Sequence, residues 1–99
     1  MRLGMLGRLC PGLTYVDLTG FQGILDSGIV PLVQRSGVGL VKVNLSRCVN
    51  LTDNLVAEIT KLHGRTLEIL NLDGCRCIID VSLKAIARNC SLLSKLDVS

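Results

Sequence analysis

The sequence of 99 residues is poor in aromatic side chains and lacks any long uncharged run. It contains one Phe, one Tyr and no Trp, although 48% of its residues are hydrophobic. The apolar content is therefore almost entirely aliphatic, which suits a narrow core built from layers of Leu, Ile and Val. No uncharged stretch approaches the roughly 18 residues that a transmembrane helix needs, so we predict no contact with a membrane.

Clusters of basic residues and export signals are also missing. The net charge is +3, but the 11 Lys and Arg residues are scattered and have no aromatic residues interleaved with them. This distribution does not favour nucleic-acid binding. The apolar N-terminus is interrupted by Arg2 and Arg8 and lacks a small-residue cleavage site, so it is not typical of a signal peptide.

The sequence does contain an internal repeat of 26 or 27 residues. Its frame is clearest at Leu67, Leu70 and Leu72, and repeats one to four begin at residues 13, 40, 67 and 93. A period of this length with leucines at this spacing is typical of a leucine-rich-repeat solenoid. We predict an α/β solenoid, a partial horseshoe with parallel strands on its concave face and helices on its convex face. Residues 1–99 would form a single segment of about three full repeats plus partial repeats at both ends.

Each of the first three repeats is predicted to form one strand followed by one helix, and the fourth is predicted to form a strand. Strands are expected at 13–18, 40–45, 67–72 and 93–98, and helices at 29–35, 54–62 and 81–89. Residues 1–9 resemble the end of an earlier helix. Because Pro31 has no backbone N–H, the first helix should start late or bend.

An aspartate stands before each predicted helix. Asp26, Asp53 and Asp80 could accept hydrogen bonds from the free N–H groups of the first turn, each cap being worth about 1 kcal/mol. The side chains three and six positions later should face the strands and be buried. These positions are Ile29, Val56, Leu83, Leu32, Ile59 and Ile86.

The five cysteines are odd in number, and two of them share one repeat position. Cys48 and Cys75 are the equivalent pair; the others are Cys10, Cys77 and Cys90. This pattern predicts reduced thiols, in the core or at the surface, in a protein of the nucleus or cytoplasm.

The residues needed for a metal site or for catalysis are not assembled in any motif. A zinc ion needs four ligands in all, and Cys75 and Cys77 would supply only two of them. The single histidine, His63, is interpreted as an exposed turn residue. A cysteine nucleophile with His63 as its base lacks an orienting motif, and no phosphate-binding glycine loop is present. We predict a protein that is not an enzyme and has no cofactor or metal.

Alternate strand residues should line up across the sheet, because neighbouring strands lie about 4.8 Å apart. One row would contain Tyr15, Lys42, Ile69 and Lys95, and the next row Asp17, Asn44, Asn71 and Asp97. We predict that these side chains form the partner-binding site on the concave face. The alternative is that the polar row only solvates the sheet or forms hydrogen bonds along it.

The residue pattern of the repeat resembles that of the repeats in F-box proteins. The C-x-x-L-x-x-L-x-L frame from Cys90 to Val98, with Cys48 and the pair Thr52-Asp53, is similar to their cysteine-containing leucine-rich repeat. Residues 62–75 resemble more particularly the plant F-box proteins that bind ethylene-insensitive transcription factors.

The resemblance covers residues 40–99 well and residues 10–39 more loosely. Phe21 in place of Cys, Ile79 in place of Thr and the extra Cys77 depart from the family pattern. The first two keep an apolar side chain at an inward position, so we expect the fold to be preserved.

The resemblance implies substrate recognition in ubiquitin-dependent protein degradation. Such proteins dock on the Skp–Cullin scaffold of a ubiquitin ligase through an F-box and capture a protein substrate with their repeats, here an ethylene-response transcription factor as the candidate. These 99 residues contain no F-box, so docking would need a segment outside this chain. The alternative hypothesis is a truncated leucine-rich-repeat fragment with a structural or no independent function.

Overall fold

The computed structural model describes residues 12–35, 37–78 and 80–98, in which short strands alternate with helices. The predicted helix at 1–9, Cys10 and Ile79 lie outside these residues. The strands are β1 (Tyr15–Asp17), β2 (Lys42–Asn44), β3 (Ile69–Asn71) and β4 (Lys95–Asp97). The helices are α1 (Asp26–Arg35), α2 (Asp53–His63) and α3 (Asp80–Asn89).

The four strands form one parallel sheet in chain order, β1-β2-β3-β4. The helices that connect them pack side by side, α1 against α2 and α2 against α3. The protein is therefore an α/β structure with a four-stranded parallel sheet and three helices, an arrangement compatible with leucine-rich repeats. Within the described part of the chain, no helix has the length and apolar character needed to cross a membrane.

The core lies between the sheet and the helices and is aliphatic apart from three cysteines. The leucine frame of repeats two and three is buried throughout, at Leu40, Val43, Leu45, Leu67, Leu70 and Leu72. Burying such a side chain contributes roughly 1.5–3 kcal/mol. Since each strand has only three residues, this burial does more than the ladder hydrogen bonds to hold the repeats together.

Helix α1 begins earlier than predicted and contains Pro31. It starts at Asp26, three residues before the predicted start at residue 29. A proline inside a helix costs about 3 kcal/mol, whereas burying Ile29, Leu32 and Val33 contributes roughly 1.5–3 kcal/mol each. The free energy gained by burying these three side chains therefore exceeds the cost of the proline.

Five of the six helix positions predicted to be buried are buried, and the exception is Leu83. Ile29 and Val56 are 2% and 0% exposed, but the equivalent Leu83 is 38% exposed. Helices α1 and α2 are each followed by another helix that packs against them. No helix follows α3 among the described residues, so Leu83 has no equivalent cover.

The aspartates lie in the first turn of each helix, but two of them connect neighbouring repeats. The N-cap of α2 is Thr52, whose side-chain oxygen accepts from the N–H of Asn54 at 3.3 Å, so the prediction that Asp53 caps this helix is wrong. The carboxylate of Asp26 accepts from the N–H of Thr52 at 2.9 Å and from its hydroxyl. Asp53 likewise accepts from the hydroxyl of Ser82. These contacts form because the next repeat brings a hydroxyl beside the start of α1 and beside the start of α2.

His63 is buried, and the prediction of an exposed turn residue is wrong. Only 4% of its surface is exposed. Its Nδ1 accepts from the N–H of Leu40 at 3.0 Å, and its Nε2 lies 2.7 Å from the carbonyl oxygen of Val33. Both contacts are satisfied by the neutral ring with its proton on Nε2. His63 therefore ties the end of α2 to the connection between α1 and β2.

Candidate protein-binding face

The residues predicted to bind a partner lie in two rows across the sheet. Tyr15, Lys42, Ile69 and Lys95 are aligned in one row by the strand register, and Asp17, Asn44, Asn71 and Asp97 in the other. We call these residues the strand face. The predicted alignment is confirmed, whereas binding of a partner by these residues stays a prediction.

In the first three strands, the residues of the strand face lie on either side of one buried residue. Val16, Val43 and Leu70 are buried at the centres of β1, β2 and β3, and the residues on either side of them are exposed or half-buried. Successive side chains of a strand point to opposite sides of the sheet. The strand face is therefore the side of the sheet that the helices leave uncovered.

The first row combines cations with apolar surface. Tyr15 is 55% exposed, and the Nζ of Lys42 lies 5.8 Å from the centre of its ring. At that distance a cation–π contact at the surface is worth about 0.5–1 kcal/mol. Ile69 is half-buried and lies between Lys42 and Lys95 in the register. A partner would meet an apolar spot with an ammonium group on each side.

The centre of the second row presents hydrogen-bond donors. The side-chain oxygen of Asn44 accepts from the N–H of Ser46 at 3.0 Å, and that of Asn71 accepts from the N–H of Asp73 at 3.0 Å. Each oxygen closes the turn after its strand, so the bonds run within a repeat and not along the row. Within the described part of the chain neither amide nitrogen has a partner, and both can donate to a ligand.

The carboxylates at the two ends of the second row have contacts of their own. Asp17 accepts from the hydroxyl of Thr19 at 2.6 Å and from its N–H at 3.0 Å. These bonds, the hydroxyl first, hold the pKa of Asp17 below its usual value. Asp97 lies 3.9 Å from the Nζ of Lys95, an exposed pair that contributes about 0–1 kcal/mol.

Three of the four described cysteines belong to the core. The thiols of Cys48 and Cys75 donate to the carbonyl oxygens of Leu18 and Leu45, at 3.1 and 3.0 Å, each just after the strand of the preceding repeat. Burial raises the pKa of both thiols and that of Cys90. These thiols are protonated near neutral pH, since the ordinary value is already 9.0.

Cys77 is the exposed cysteine of the described residues. It therefore does not share the buried environment of Cys75, two positions earlier. Across residues 12–35, 37–78 and 80–98, no three His, Cys, Asp or Glu side chains are grouped so that they could hold a metal ion.

Arg47 is a residue of this region that was not predicted from the repeat pattern. Its φ is 64°, and it is the non-glycine residue with a positive φ in the described part of the chain. The equivalent residues of repeats one and three are Gly20 and Gly74, with φ of 78° and 74°. An arginine at a position where both neighbouring repeats have glycine was visible in the sequence and could have pointed to it.

Comparisons with known proteins find relatives that match most of this chain. No family model matches it. It is 33% identical over 85 residues to F-box/LRR-repeat protein 12 of Arabidopsis thaliana, a match that covers 86% of this chain and 21% of that protein. It is 31% identical over 97 residues to DNA repair protein rhp7 of Schizosaccharomyces pombe, covering 95% of this chain and 17% of that protein.

The chain thus spans about a fifth of the length of these curated relatives, whose shares are 21% and 17%. Together with the parallel sheet, the similarity supports an F-box/LRR-like segment.

Proposed function

We propose that residues 1–99 form one segment of a leucine-rich-repeat solenoid, a partial horseshoe whose concave side is the strand face. The parallel strands with equivalent residues in register and the side-by-side helices support this. Neighbouring strands lie about 4.8 Å apart, whereas packed helices need about 8–10 Å. Stacking such repeats therefore curves the chain with the strands on the inside.

The function we propose for this segment is substrate recognition in an F-box subunit of a Skp–Cullin–F-box ubiquitin ligase. The observation that carries the proposal is the strand face, in which two rows of exposed and half-buried side chains are aligned across the parallel sheet. The similarity to F-box/LRR-repeat protein 12 supports it. The segment would bind a protein without chemistry of its own, and an F-box elsewhere would dock on the scaffold.

The finer proposal follows from the resemblance of residues 62–75 to the plant proteins that bind ethylene-insensitive transcription factors. The substrate would then be an ethylene-response transcription factor, captured in the nucleus or cytoplasm.

A second candidate is a leucine-rich-repeat fragment with a structural or no independent function. The exposure of Leu83 favours it, because this residue is 38% exposed whereas the equivalent Ile29 and Val56 are 2% and 0% exposed. The two proposals differ in whether the chain must fold cooperatively and in whether it must bind a protein. A recognition segment must unfold cooperatively and bind a protein, whereas a fragment without function need do neither.

The test changes the strand face without disturbing its turns. A variant with Lys42→Ser, Ile69→Ser, Asn44→Asp and Asn71→Asp keeps the side-chain oxygens that accept from Ser46 and Asp73. We expect it to retain the circular-dichroism spectrum of the original chain and to lose capture of a purified ethylene-response transcription factor.

A matched variant with Lys61→Ser, Lys84→Ser and Arg88→Ser changes exposed helix residues instead and should retain capture. Equal capture by the strand-face variant would contradict the recognition proposal. Unfolding of the original chain without cooperativity would favour the fragment.

A further inference from the structure

Repeat two differs from its neighbours at the turn after its strand. Arg47 has a φ of 64° where Gly20 and Gly74 occupy the same position. This left-handed conformation costs free energy in a residue with a Cβ and little in glycine. The strain is therefore specific to repeat two.

The fold does not require an arginine at this position. The backbone N–H of Arg47 donates to the carbonyl oxygen of Asp73 at 2.7 Å. In repeat one the N–H of Gly20 donates in the same way to Ser46 at 2.8 Å. Glycine thus makes the same bond between repeats without the strain. Strained residues of this kind cluster at functional sites. The side chain of Arg47 is therefore a candidate for binding a partner.

The strand of repeat two presents donors and positive charge along its length. Lys42 and Asn44 belong to β2, and Ser46 and Arg47 follow it. We call these residues the repeat-two column. The oxygen of Asn44 accepts one hydrogen bond from the N–H of Ser46, and its amide nitrogen, which has no partner among the described residues, has two N–H groups to donate.

The neighbouring repeats do not repeat this charge pattern. At positions equivalent to Asn44 and Ser46, repeat one has the carboxylate of Asp17 and repeat three that of Asp73. The carboxylate of Asp17 accepts hydrogen bonds from the N–H and the hydroxyl of Thr19. Among the first three repeats, repeat two is the one without a carboxylate at these positions.

We infer that the repeat-two column anchors a segment of a protein partner that is rich in Asp and Glu, an inference that rests on the proposed function. Arg47 can bind a carboxylate through two parallel N–H bonds, and Lys42 supplies a second positive charge. The backbones of these residues lie at most about 17 Å apart, since an extended chain advances about 3.3 Å per residue. Acidic residues up to about five positions apart in an extended segment would reach both cations, and Ile69 would contact an apolar residue beside them.

The experiment selects short random peptides on phage against the full chain and measures the affinities of synthetic copies by fluorescence anisotropy. We expect the selected peptides to be enriched in Asp and Glu and to bind more weakly at high salt. Replacing their Glu by Gln should weaken binding about tenfold or more, since bonds to charged groups are the strong ones.

The variants separate recognition from folding. Arg47→Gly removes the guanidinium and also the backbone strain, so a loss of binding of about tenfold or more cannot be attributed to a weakened fold. Arg47→Lys keeps the charge but not the planar pair of donors and should bind with intermediate affinity. Arg88→Ala makes the same change of charge on α3 and should leave the affinity unchanged.

The outcomes distinguish the acidic anchor from the proposed function of protein recognition on which it rests. Suppose the selected peptides lack acidic residues, and binding is lost in the four-residue strand-face variant but not in Arg47→Gly. The acidic anchor is then overturned and protein recognition stands. If neither variant weakens binding, or no peptide is selected, both are overturned.

Discussion

Gly64 packs directly against the carbonyl oxygen of Asn89 at the end of α3. A Cβ placed on Gly64 would collide with that oxygen and with the carbonyl oxygen of Thr60. The connection after α2 thus approaches the next repeat too closely for any side chain. The equivalent residue of repeat one, Gly37, has open space at the same place.

Gly64→Ala should lower the free energy of unfolding by about 1–3 kcal/mol, because backbone atoms of two helices would have to move apart. Urea denaturation measures the change. Gly37→Ala is the matched control, and we expect its stability to be unchanged or slightly raised. Equal effects of the two substitutions would show that the close approach at Gly64 does not restrict the stacking.

Replacing His63 should remove the connection between α2 and the segment before β2. In His63→Ala the N–H of Leu40 and the carbonyl of Val33 both lose their ring partner in the interior. Each unsatisfied buried group costs about 1–3 kcal/mol, so we expect the two together to lower the free energy of unfolding by about 2–6 kcal/mol. The neighbouring Leu62 is 46% exposed, and Leu62→Ala should cost far less. A small loss in both variants would contradict the assigned role of the ring.

The buried thiols make stability depend on pH in the alkaline range. Burial raises the pKa of Cys48 above its ordinary value of 9.0 in the folded chain. As the pH rises past 9.0, the unfolded chain releases this proton first, and the free energy of unfolding falls. Below that value the contribution of the thiol is constant. Cys48→Ala should show a shallower alkaline decline in urea titrations, and an identical slope would argue against the raised pKa.

Thiol reactivity should follow the same difference in environment. Cys77 is exposed, whereas Cys48, Cys75 and Cys90 are buried. Since the thiolate is the reactive species and must be accessible, iodoacetamide should label Cys77 before Cys48, Cys75 and Cys90 in the native chain. The three buried cysteines should react only on unfolding, as peptide mapping by mass spectrometry would show. Rapid native labelling of Cys75 would contradict its place in the core.

The period of the sequence predicts the strand register because each repeat carries its own leucine frame. The rows that start at Tyr15 and Asp17 follow directly from counting 26 or 27 residues. What could not be predicted are the side-chain bonds between repeats. His63 reaches the carbonyl of Val33 across 30 positions, and Asp26 reaches Thr52 across 26. Such bonds depend on how closely the helices and loops of adjacent repeats approach, which a pattern within one repeat does not contain.

The strain at Arg47 predicts a gain in stability when it is replaced by glycine. A left-handed conformation costs a non-glycine residue roughly 1–2 kcal/mol, and the greater freedom of glycine in the unfolded chain offsets about 0.5–1 kcal/mol of this. Arg47→Gly should therefore raise the free energy of unfolding by about 0.5–1 kcal/mol.

Gly74→Ala is the reciprocal control for Arg47→Gly. Its φ is 74°, and a Cβ there would meet Arg47 only at 3.5 Å, an ordinary contact. It should lower the stability by about 1 kcal/mol through the backbone alone. If Arg47→Gly instead destabilises the chain as much as Gly74→Ala does, the side chain of Arg47 stabilises the fold by packing on the next repeat. The strain at Arg47 would then be explained by the fold, and it would no longer support a role of this side chain in binding a partner.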